Sequence, residues 1–185
     1  MASSVDTLDE ITPELKALIR DFPDFPKKGI LFRDIMPLLK HPSLVDKMCG
    51  AIAERFKRLT PPVEAVAALE ARGFLFAPQI AVNLAVPFVP IRKQGKLPGP
   101  TMQAAYVKEY GEDMLEIQSD AVSPGTNVVI FDDLLATGGT IKAAIDLMQK
   151  AGGNVTEVFF LVELTDLKGR EKVPTSIPCR SLVAY

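Results

Sequence analysis

The sequence has little of several residue types that common catalytic and metal sites require. It contains no tryptophan, one histidine and two cysteines. A single histidine, His41, leaves almost nothing from which to build a zinc cluster or a Ser-His-Asp triad. Cys49 and Cys179 lie far apart, which is typical of free thiols in a reducing cytosol, and neither accompanies a histidine motif. We therefore expect a cytoplasmic protein without a cysteine nucleophile.

Long apolar runs and a strong charge of either sign are also missing. No stretch of about 18 apolar residues occurs, so we expect no membrane span. Residues 1–15 are acidic and have no signal-peptide core. The formal net charge of -2 implies no general affinity for nucleic acid. At 185 residues and 48% hydrophobic content, the chain can form one domain with a sizeable core.

The most informative stretch is residues 128–140, VVIFDDLLATGGT. Its first four residues are apolar and predict a buried strand. Asp132 and Asp133 follow, then Thr-Gly-Gly-Thr, and residues 141–152 predict an amphipathic helix. The glycines let the backbone approach an anion, and the first amides of a helix have no partner within it. The stretch predicts a phosphate site with two carboxylates that could accept hydrogen bonds from adjacent sugar hydroxyls.

Each part of this motif has a plainer interpretation. An acidic residue at the end of a parallel strand is common in α/β proteins, often as a metal ligand, and Gly-Gly can be only a turn. In combination, the parts resemble the phosphoribosyl-pyrophosphate (PRPP) motif of the type I phosphoribosyltransferases. The motif is not a Walker A loop, because no Gly-Lys-Ser/Thr follows at the right distance, and the chain has no GxGxxG fingerprint.

Arg72 follows another predicted strand, residues 63–69, in the sequence Glu-Ala-Arg-Gly. Ligands of open α/β sheets bind at the carboxyl ends of strands, and the planar fork of arginine can grip two oxygens of a diphosphate. The alternative is an ion pair between Glu70 and Arg72 at the strand end.

A basic turn, Arg-Lys-Gln-Gly-Lys at residues 92–96, follows the predicted strand at residues 87–91. Three cations in this position indicate an electropositive rim for phosphates, with Arg92 and Lys96 as candidates. A solvated charged turn is the alternative, especially for Lys93.

The N-terminal part combines an expected mobile tail, residues 1 to about 10, with a helix that starts at Thr12. The prolines and Gly29 of DFPDFPKKGILFRDI, residues 21–35, argue against regular structure before Ile30. Leu31, Phe32 and Arg33 could then form the wall of a pocket for a flat heterocycle. A packed flap with an Arg33–Asp34 surface pair is the alternative.

Residues 103–109 and 114–118 predict two strands of a hairpin outside the βα alternation. Long excursions at a ligand edge are often lids, so residues 98–118 are predicted as a flexible loop with Glu109 and Tyr110 near its tip. Residues 155–162 predict a further buried strand, and Leu164 follows its end.

Six segments together resemble the adenine phosphoribosyltransferase family from about Phe22 to Tyr185. They are FPDFPKKGILFRDI, LEARGFLFAPQIA, IRKQGKLPGPT, VKEYGEDMLEIQ, VVIFDDLLATGGT and LVELTDLKGRE. The resemblance implies purine salvage: adenine and PRPP give AMP and pyrophosphate through an oxocarbenium-like transition state. It also implies Mg²⁺, bound mainly through PRPP and water rather than by protein ligands, and a homodimer.

The resemblance assigns roles position by position. The implied catalytic residues are Glu109 as the acid-base group at the purine, Tyr110 beside it, and Arg72 at the pyrophosphate. The implied residues for PRPP and AMP are Asp132 and Asp133 at the ribose, Ala136, Thr137, Gly138, Gly139 and Thr140 at the 5′-phosphate, and Arg92 and Lys96 at the pyrophosphate, where one or both could come from a neighbouring subunit. The implied adenine residues are Leu31, Phe32, Arg33 and Leu164.

The expected fold is a single α/β phosphoribosyltransferase domain over residues 1–185. Its central sheet is mostly parallel with helices on both faces, and residues 21–36 form a small hood that binds adenine. Two other functions stay open. One is a transferase for another 6-substituted purine, and the other is a PRPP- or nucleotide-sensing protein that has lost the chemistry.

Overall fold

The computed structural model describes the backbone of residues 7–108 and 111–185, and the side chains of these except at 107, 108, 111 and 112. Four α-helices occur in this part of the chain: α1 Thr7–Leu18, α2 Pro42–Phe56, α3 Ala77–Leu84 and α4 Gly139–Lys150. The strands are β1 Arg20–Pro23, β2 Leu31–Asp34, β3 Ala65–Leu69, β4 Phe88–Lys93, β5 Thr101–Lys108, β6 Gly111–Gln118, β7 Asn127–Leu135, β8 Asn154–Glu163 and β9 Cys179–Ala184. Short 3-10 helices cover Met36–Lys40, Gly73–Leu75, Thr165–Leu167 and Gly169–Lys172.

Seven strands form one sheet in the order β5-β6-β4-β3-β7-β8-β9. Strands β4, β3, β7, β8 and β9 are parallel to one another, and the β5–β6 hairpin is antiparallel to β4 at one edge. Strands β1 and β2 form a separate antiparallel pair, the hood. The predicted fold class is thereby confirmed.

The sheet is covered on both faces, which explains why β3 consists only of small and branched apolar residues. Val66 and Ala68 belong to the core cluster that includes residues of α1, α2 and α3. Ala67 and Leu69 belong to the cluster that includes α4. No helix in the described part of the chain has the length and apolar character needed to cross a bilayer.

The prediction that the chain is a mobile tail to about residue 10 is wrong for residues 7–10, which form the first turn of α1. Leu8, Ile11 and Leu15 share the buried face of this helix, and Leu8 is completely buried. The Thr12 hydroxyl donates to the Leu8 carbonyl oxygen at 2.7 Å, so it lies within the helix instead of capping its start.

The prediction that residues 21–30 have no regular structure is also wrong at its start, because β1 includes Phe22 and Pro23. Pro23 is tolerated since it ends this two-stranded sheet, where no further strand requires its missing N–H. Ion pairs join the two strands across the hood, between Arg20 and Asp34 and between Asp21 and Arg33.

Candidate active site

A cavity of about 260 Å³ opens at the carboxyl ends of β3 and β7. Its wall comes from the two strand ends, the loops that follow them, the start of α4 and one residue of β5. The lining residues are Leu69, Glu70, Ala71, Arg72, Tyr106, Asp132, Asp133, Leu134, Leu135, Ala136, Gly138, Thr140 and Ile141. The topology thus brings Arg72 and the acidic pair together, although some 60 residues of chain separate them.

The acidic pair lies within β7, because this strand continues to Leu135 beside β8 instead of ending at Phe131. A Cβ on Gly73 would be 3.2 Å from Asp132 Oδ1, so the glycine leaves room for this carboxylate. Asp132 Oδ1 accepts the backbone N–H of Asp133 at 2.9 Å. Burial, and then the neighbouring Asp133 charge, raise the pKa of Asp132 well above its ordinary value. Burial also raises the pKa of Asp133, although Arg72 acts against it.

Arg72 joins the acidic pair to the hood. Its Nε lies 2.9 Å from Asp133 Oδ2, and its guanidinium carbon lies 5.5 Å from the centre of the Phe32 ring. The alternative pair between Glu70 and Arg72 is not formed, since Glu70 Oε2 is paired with Arg92 Nε at 2.6 Å. The peptide bond between Glu70 and Ala71 is cis.

Arg92 and Lys96 do not line the cavity. Arg92 reaches the site through Glu70, and it also donates to the Lys96 backbone oxygen at 2.9 Å. Lys96 itself is exposed. Their roles at a pyrophosphate, from one subunit or two, stay predictions.

Ala136, Gly138 and Thr140 of the glycine loop line the cavity, whereas Thr137 is exposed and Gly139 begins α4. Gly138 is the N-cap of α4, with φ of 79°, and no side chain caps the first amides of this helix. These amides and the positive end of the helix dipole are suited to an anion.

A second cavity, of about 350 Å³, lies between the hood and the segment after β8. Its lining residues are Gly29, Ile30, Leu31, Arg33, Leu164, Asp166, Leu167 and Tyr185. Three of the four predicted adenine residues are among them. Phe32 is the exception because neighbouring strand residues point to opposite faces, and its ring instead lies beside Arg72.

The β2 strand has a free backbone edge. Phe22 pairs with Phe32 in the hood ladder, and Pro23 pairs with Leu31. Because Pro23 cannot donate and hydrogen-bonded pairs alternate along an antiparallel ladder, the hydrogen-bonded pair must be Phe22–Phe32. The backbone N–H and C=O groups of Leu31 and Arg33 therefore point away from β1, towards an edge that no other described strand covers.

Sequence reasoning missed Tyr185. Its ring centre lies 3.7 Å from the Arg33 guanidinium carbon, so it supports this side chain in the second cavity. Backbone hydrogen bonds from Thr165 to Tyr185 and from Tyr185 to Glu163 hold it there, at 2.9 and 3.0 Å. The alternative Arg33–Asp34 pair is not formed, because each residue pairs with β1.

Tyr106 and Gly169 were missed as well. Tyr106 lines the first cavity and its hydroxyl donates to Asp113 at 3.1 Å. Gly169 packs against the glycine loop. A lone tyrosine in a strand and a glycine in a polar loop carry no sequence signal of such contacts. Glu109 and Tyr110 lie outside the described residues.

No group of three or more His, Cys, Asp or Glu that could hold a metal ion occurs among the residues described. The carboxylates of Asp132 and Asp133 offer the oxygen donors that Mg²⁺ prefers, but Asp133 is already paired with Arg72. This donor set fits a Mg²⁺ ion that is held mainly by a bound diphosphate and water.

The fold and the arrangement of acidic pair, glycine loop and arginine define a phosphoribosyltransferase, and the model of the phosphoribosyl transferase domain matches residues 36–181. Adenine phosphoribosyltransferase of Caenorhabditis elegans is 56% identical over 177 residues, 96% of this chain and 95% of that protein. The mouse enzyme of the same name is 52% identical, over 94% of this chain and 98% of that protein. The chain belongs to the adenine phosphoribosyltransferase family.

Solved structures agree. Adenine phosphoribosyltransferase from Saccharomyces cerevisiae, complexed with an imino-altritol bisphosphate and adenine, superposes with a TM-score of 0.89 at 42% identity, covering 94% of this chain and 98% of that one. The Thermoanaerobacter pseudethanolicus enzyme gives a TM-score of 0.87 at 46% identity, covering 94% and 99%.

Proposed function

We propose that this chain transfers the 5-phosphoribosyl group of PRPP to N9 of adenine, giving AMP and pyrophosphate in purine salvage. The observation that carries the proposal is the position of Arg72, which touches Asp133 in the first cavity and lies against Phe32 of the hood. Arg72 thus joins the cavity for a phosphorylated sugar to the hood, whose β2 strand carries the backbone edge that would bind a flat base.

The first cavity suits the ribose 5-phosphate part of PRPP. The first amides of α4 and the Thr140 hydroxyl would donate to the 5′-phosphate. Asp132 and Asp133 would accept hydrogen bonds from the two ribose hydroxyls. When the ribose takes this place at Asp133, Arg72 is released to grip the diphosphate with its planar fork.

The free edge of β2 suits the purine. Adenine presents a donor at its 6-amino group and an acceptor at N1, and a strand edge offers a carbonyl oxygen and an N–H group side by side. Leu31 and Arg33 supply these groups through the backbone. Leu164, in the same cavity as Leu31 and Arg33, would pack on the ring.

The reaction breaks the bond between ribose C1 and the pyrophosphate oxygen, and forms the bond between C1 and N9. Positive charge develops on the ribose as pyrophosphate leaves, so Arg72 stabilises the leaving group and the carboxylates stabilise the sugar. Glu109 would act as the acid-base group while N9 loses its proton, with Tyr110 beside it. Mg²⁺ on the diphosphate would supply further charge neutralisation. No step requires a covalent protein intermediate.

Two further properties belong to this proposal. The protein acts as a homodimer, and the exposed apolar side chains Leu75 and Val82, 40% and 76% exposed, support a contact surface around α3.

The protein acts in the cytoplasm, which agrees with the free thiols of Cys49 and Cys179. Burial raises the pKa of Cys49 to about 12, so this thiol is inert at neutral pH.

The test is nucleotide formation from PRPP with adenine, hypoxanthine and guanine, each with and without Mg²⁺. The proposal predicts Mg²⁺-dependent formation of AMP and little product with the other bases. Comparable turnover of hypoxanthine would indicate a transferase for another purine. No turnover with any base, combined with tight binding of PRPP, would indicate a nucleotide sensor.

A further inference from the structure

The buried carboxylate of Glu163 forms an ion pair with the exposed Arg170 just outside the site. Glu163 is the last residue of β8 and is 5% exposed. The Nε atom of Arg170 donates to Glu163 Oε1 at 3.0 Å, and the Nη2 atom of Arg170 donates to Glu163 Oε2. The Ser181 hydroxyl donates to Oε2 at 2.5 Å, and Arg170 also donates to the Cys179 backbone oxygen. The mechanism above uses none of these groups.

The residue before Arg170 touches the glycine loop through its backbone. A Cβ on Gly169 would lie 2.1 Å from the Ala136 carbonyl oxygen, and a Cβ on Gly138 would lie 2.3 Å from the Gly169 carbonyl oxygen. Both distances are far below any allowed contact. The backbone of the glycine loop, residues 136–140, is therefore in direct contact with that of the turn at residues 169–172, at the point where Gly138 caps α4. No hydrogen bond between described residues of this loop and this turn fixes them.

We propose that Arg170 is a positioning residue for the phosphate site: by holding the turn at residues 169–172 onto Glu163, it keeps Gly169 against Gly138 and fixes the glycine loop. This inference rests on the proposed function, because it assigns the loop to the 5′-phosphate. A two-armed ion pair suits the task, since it sets the orientation of the turn as well as its distance. Arg170 itself lines neither cavity described above.

The chain contains a matched control. Arg55 on α2 forms the same kind of pair with Glu157, near the opposite end of β8, with Nε to Oε1 at 3.2 Å and the second arm to Oε2 at 2.6 Å. Glu157 is 1% exposed, so breaking this pair also leaves a buried carboxylate without its arginine. Arg55 lines neither cavity, and its hydrogen bonds among the described residues go to Glu157.

The experiment compares Arg170→Met, Arg170→Lys and Arg55→Met with the wild type. It measures the Kd for ribose 5-phosphate by calorimetry, the KM values for PRPP and adenine, and Tm. We expect Arg170→Met to raise the Kd and the KM for PRPP roughly tenfold, since small displacements of binding groups weaken a preorganised site strongly. The Kd and the KM for PRPP of Arg170→Lys should lie between those of the wild type and Arg170→Met. In both variants the KM for adenine should change less than the KM for PRPP. Arg55→Met should lower Tm about as much as Arg170→Met does, and it should leave the Kd for ribose 5-phosphate and the KM for PRPP unchanged.

Equal binding constants for Arg170→Met and wild type, or equal changes in Arg55→Met, would overturn the inference. If Arg170→Met does not fold, Gly169→Ala decides, because its Cβ pushes on Ala136 with the ion pair intact; an unchanged Kd would again overturn it. Ribose 5-phosphate binding does not depend on turnover. Wild-type protein that binds it but makes no AMP would contradict the proposed function alone.

Discussion

Gly138 is the residue at which backbone geometry limits substitution most directly. It has φ of 79° and no room for a Cβ beside Gly169. Gly138→Ala should lower the free energy of unfolding by roughly 1–3 kcal/mol or more and raise the KM for PRPP. Urea unfolding and steady-state kinetics measure both quantities.

The control is Gly125→Ala, at φ of 86° with no heavy atom within 4 Å of the added Cβ. This variant carries the cost of the left-handed backbone without the clash, so it should lose less stability and keep the wild-type KM for PRPP. An effect of the same size at both glycines would show that backbone conformation, and not contact with Gly169, matters at Gly138.

Asp132 is expected to reduce stability in exchange for function. Its pKa is raised, by burial first and by Asp133 second, from an ordinary value of 3.8. Between that value and the raised one, the folded state binds more protons than the unfolded state, so the free energy of unfolding falls as pH rises. Asp132→Asn should therefore be more stable than wild type at neutral pH, with a gain that disappears below pH 3.8. Urea unfolding across pH tests this, and a gain independent of pH would contradict it.

Single residues differ in how far sequence could predict them. Asp132, Asp133 and Gly138 stand in one short motif, so their neighbourhood is local and visible in the chain. The partner of Arg72 could not be predicted, because Asp133 reaches it only through the pairing of β3 with β7. Tyr185 and Gly169 act through contacts that depend on where β8 ends, which no local pattern indicates.

Among the elements, β6 organises the basic turn through Glu116. This side chain is 2% exposed; its Oε1 accepts the backbone N–H groups of Lys96 and Leu97, each at 2.9 Å. Thr101 and Gln103 donate to Oε2 at 3.3 and 3.4 Å. Burial opposes the charge, but the backbone hydrogen bonds outweigh it and hold the pKa below its ordinary value of 4.5.

Glu116→Leu should lower the free energy of unfolding by roughly 1–3 kcal/mol, because the Lys96 and Leu97 amides lose their acceptor. It should also raise the KM for PRPP, since Arg92 contacts the same turn. Glu116→Gln keeps an acceptor for both amides, so its free energy of unfolding and its KM for PRPP should change less than those of Glu116→Leu. Above pH 4.5 the wild type should have a larger free energy of unfolding than Glu116→Gln. This difference should fade as the pH drops below 4.5, because the Glu116 carboxylate, whose pKa is lowered in the folded state, then becomes protonated. Equal loss in both variants would argue against the acceptor role.

At the scale of elements, periodicity predicted most strands and helices, because a sheet buried on both faces requires continuous apolar runs such as β3 and residues 158–162 of β8. The predicted boundaries were wrong at α1 and β1, where prolines were interpreted as the start or the end of regular structure. Pro13 favoured a helix start at Thr12, but burial of Leu8 extends the helix by more than a turn towards the N-terminus. Pro23 suggested a break, but an edge position allows it to remain in a strand.

Over the whole molecule, the helix α3 presents the most exposed large apolar side chain among the described residues, Val82 at 76%. In a homodimer that uses this surface, Val82→Lys should shift the protein towards monomer at micromolar concentration, as measured by sedimentation equilibrium. Ser176→Lys, at an exposed site in the turn before β9, adds the same charge as a control. A dimer of undiminished strength in Val82→Lys would exclude this surface.

The proposed reaction depends on the acidic pair beside Arg72, which would bind the ribose of PRPP. The most direct test is the initial rate of AMP formation from PRPP and adenine by wild type, Asp133→Asn and Asp146→Asn. Asp146 is an exposed carboxylate on α4, paired with Lys142 at 2.6 Å, and serves as the control. We predict that Asp133→Asn lowers kcat/KM for PRPP about 10- to 100-fold, the loss of a hydrogen bond to a charged group, while Asp146→Asn matches wild type. A wild-type kcat/KM in Asp133→Asn would show that the Asp133 carboxylate does not bind the ribose.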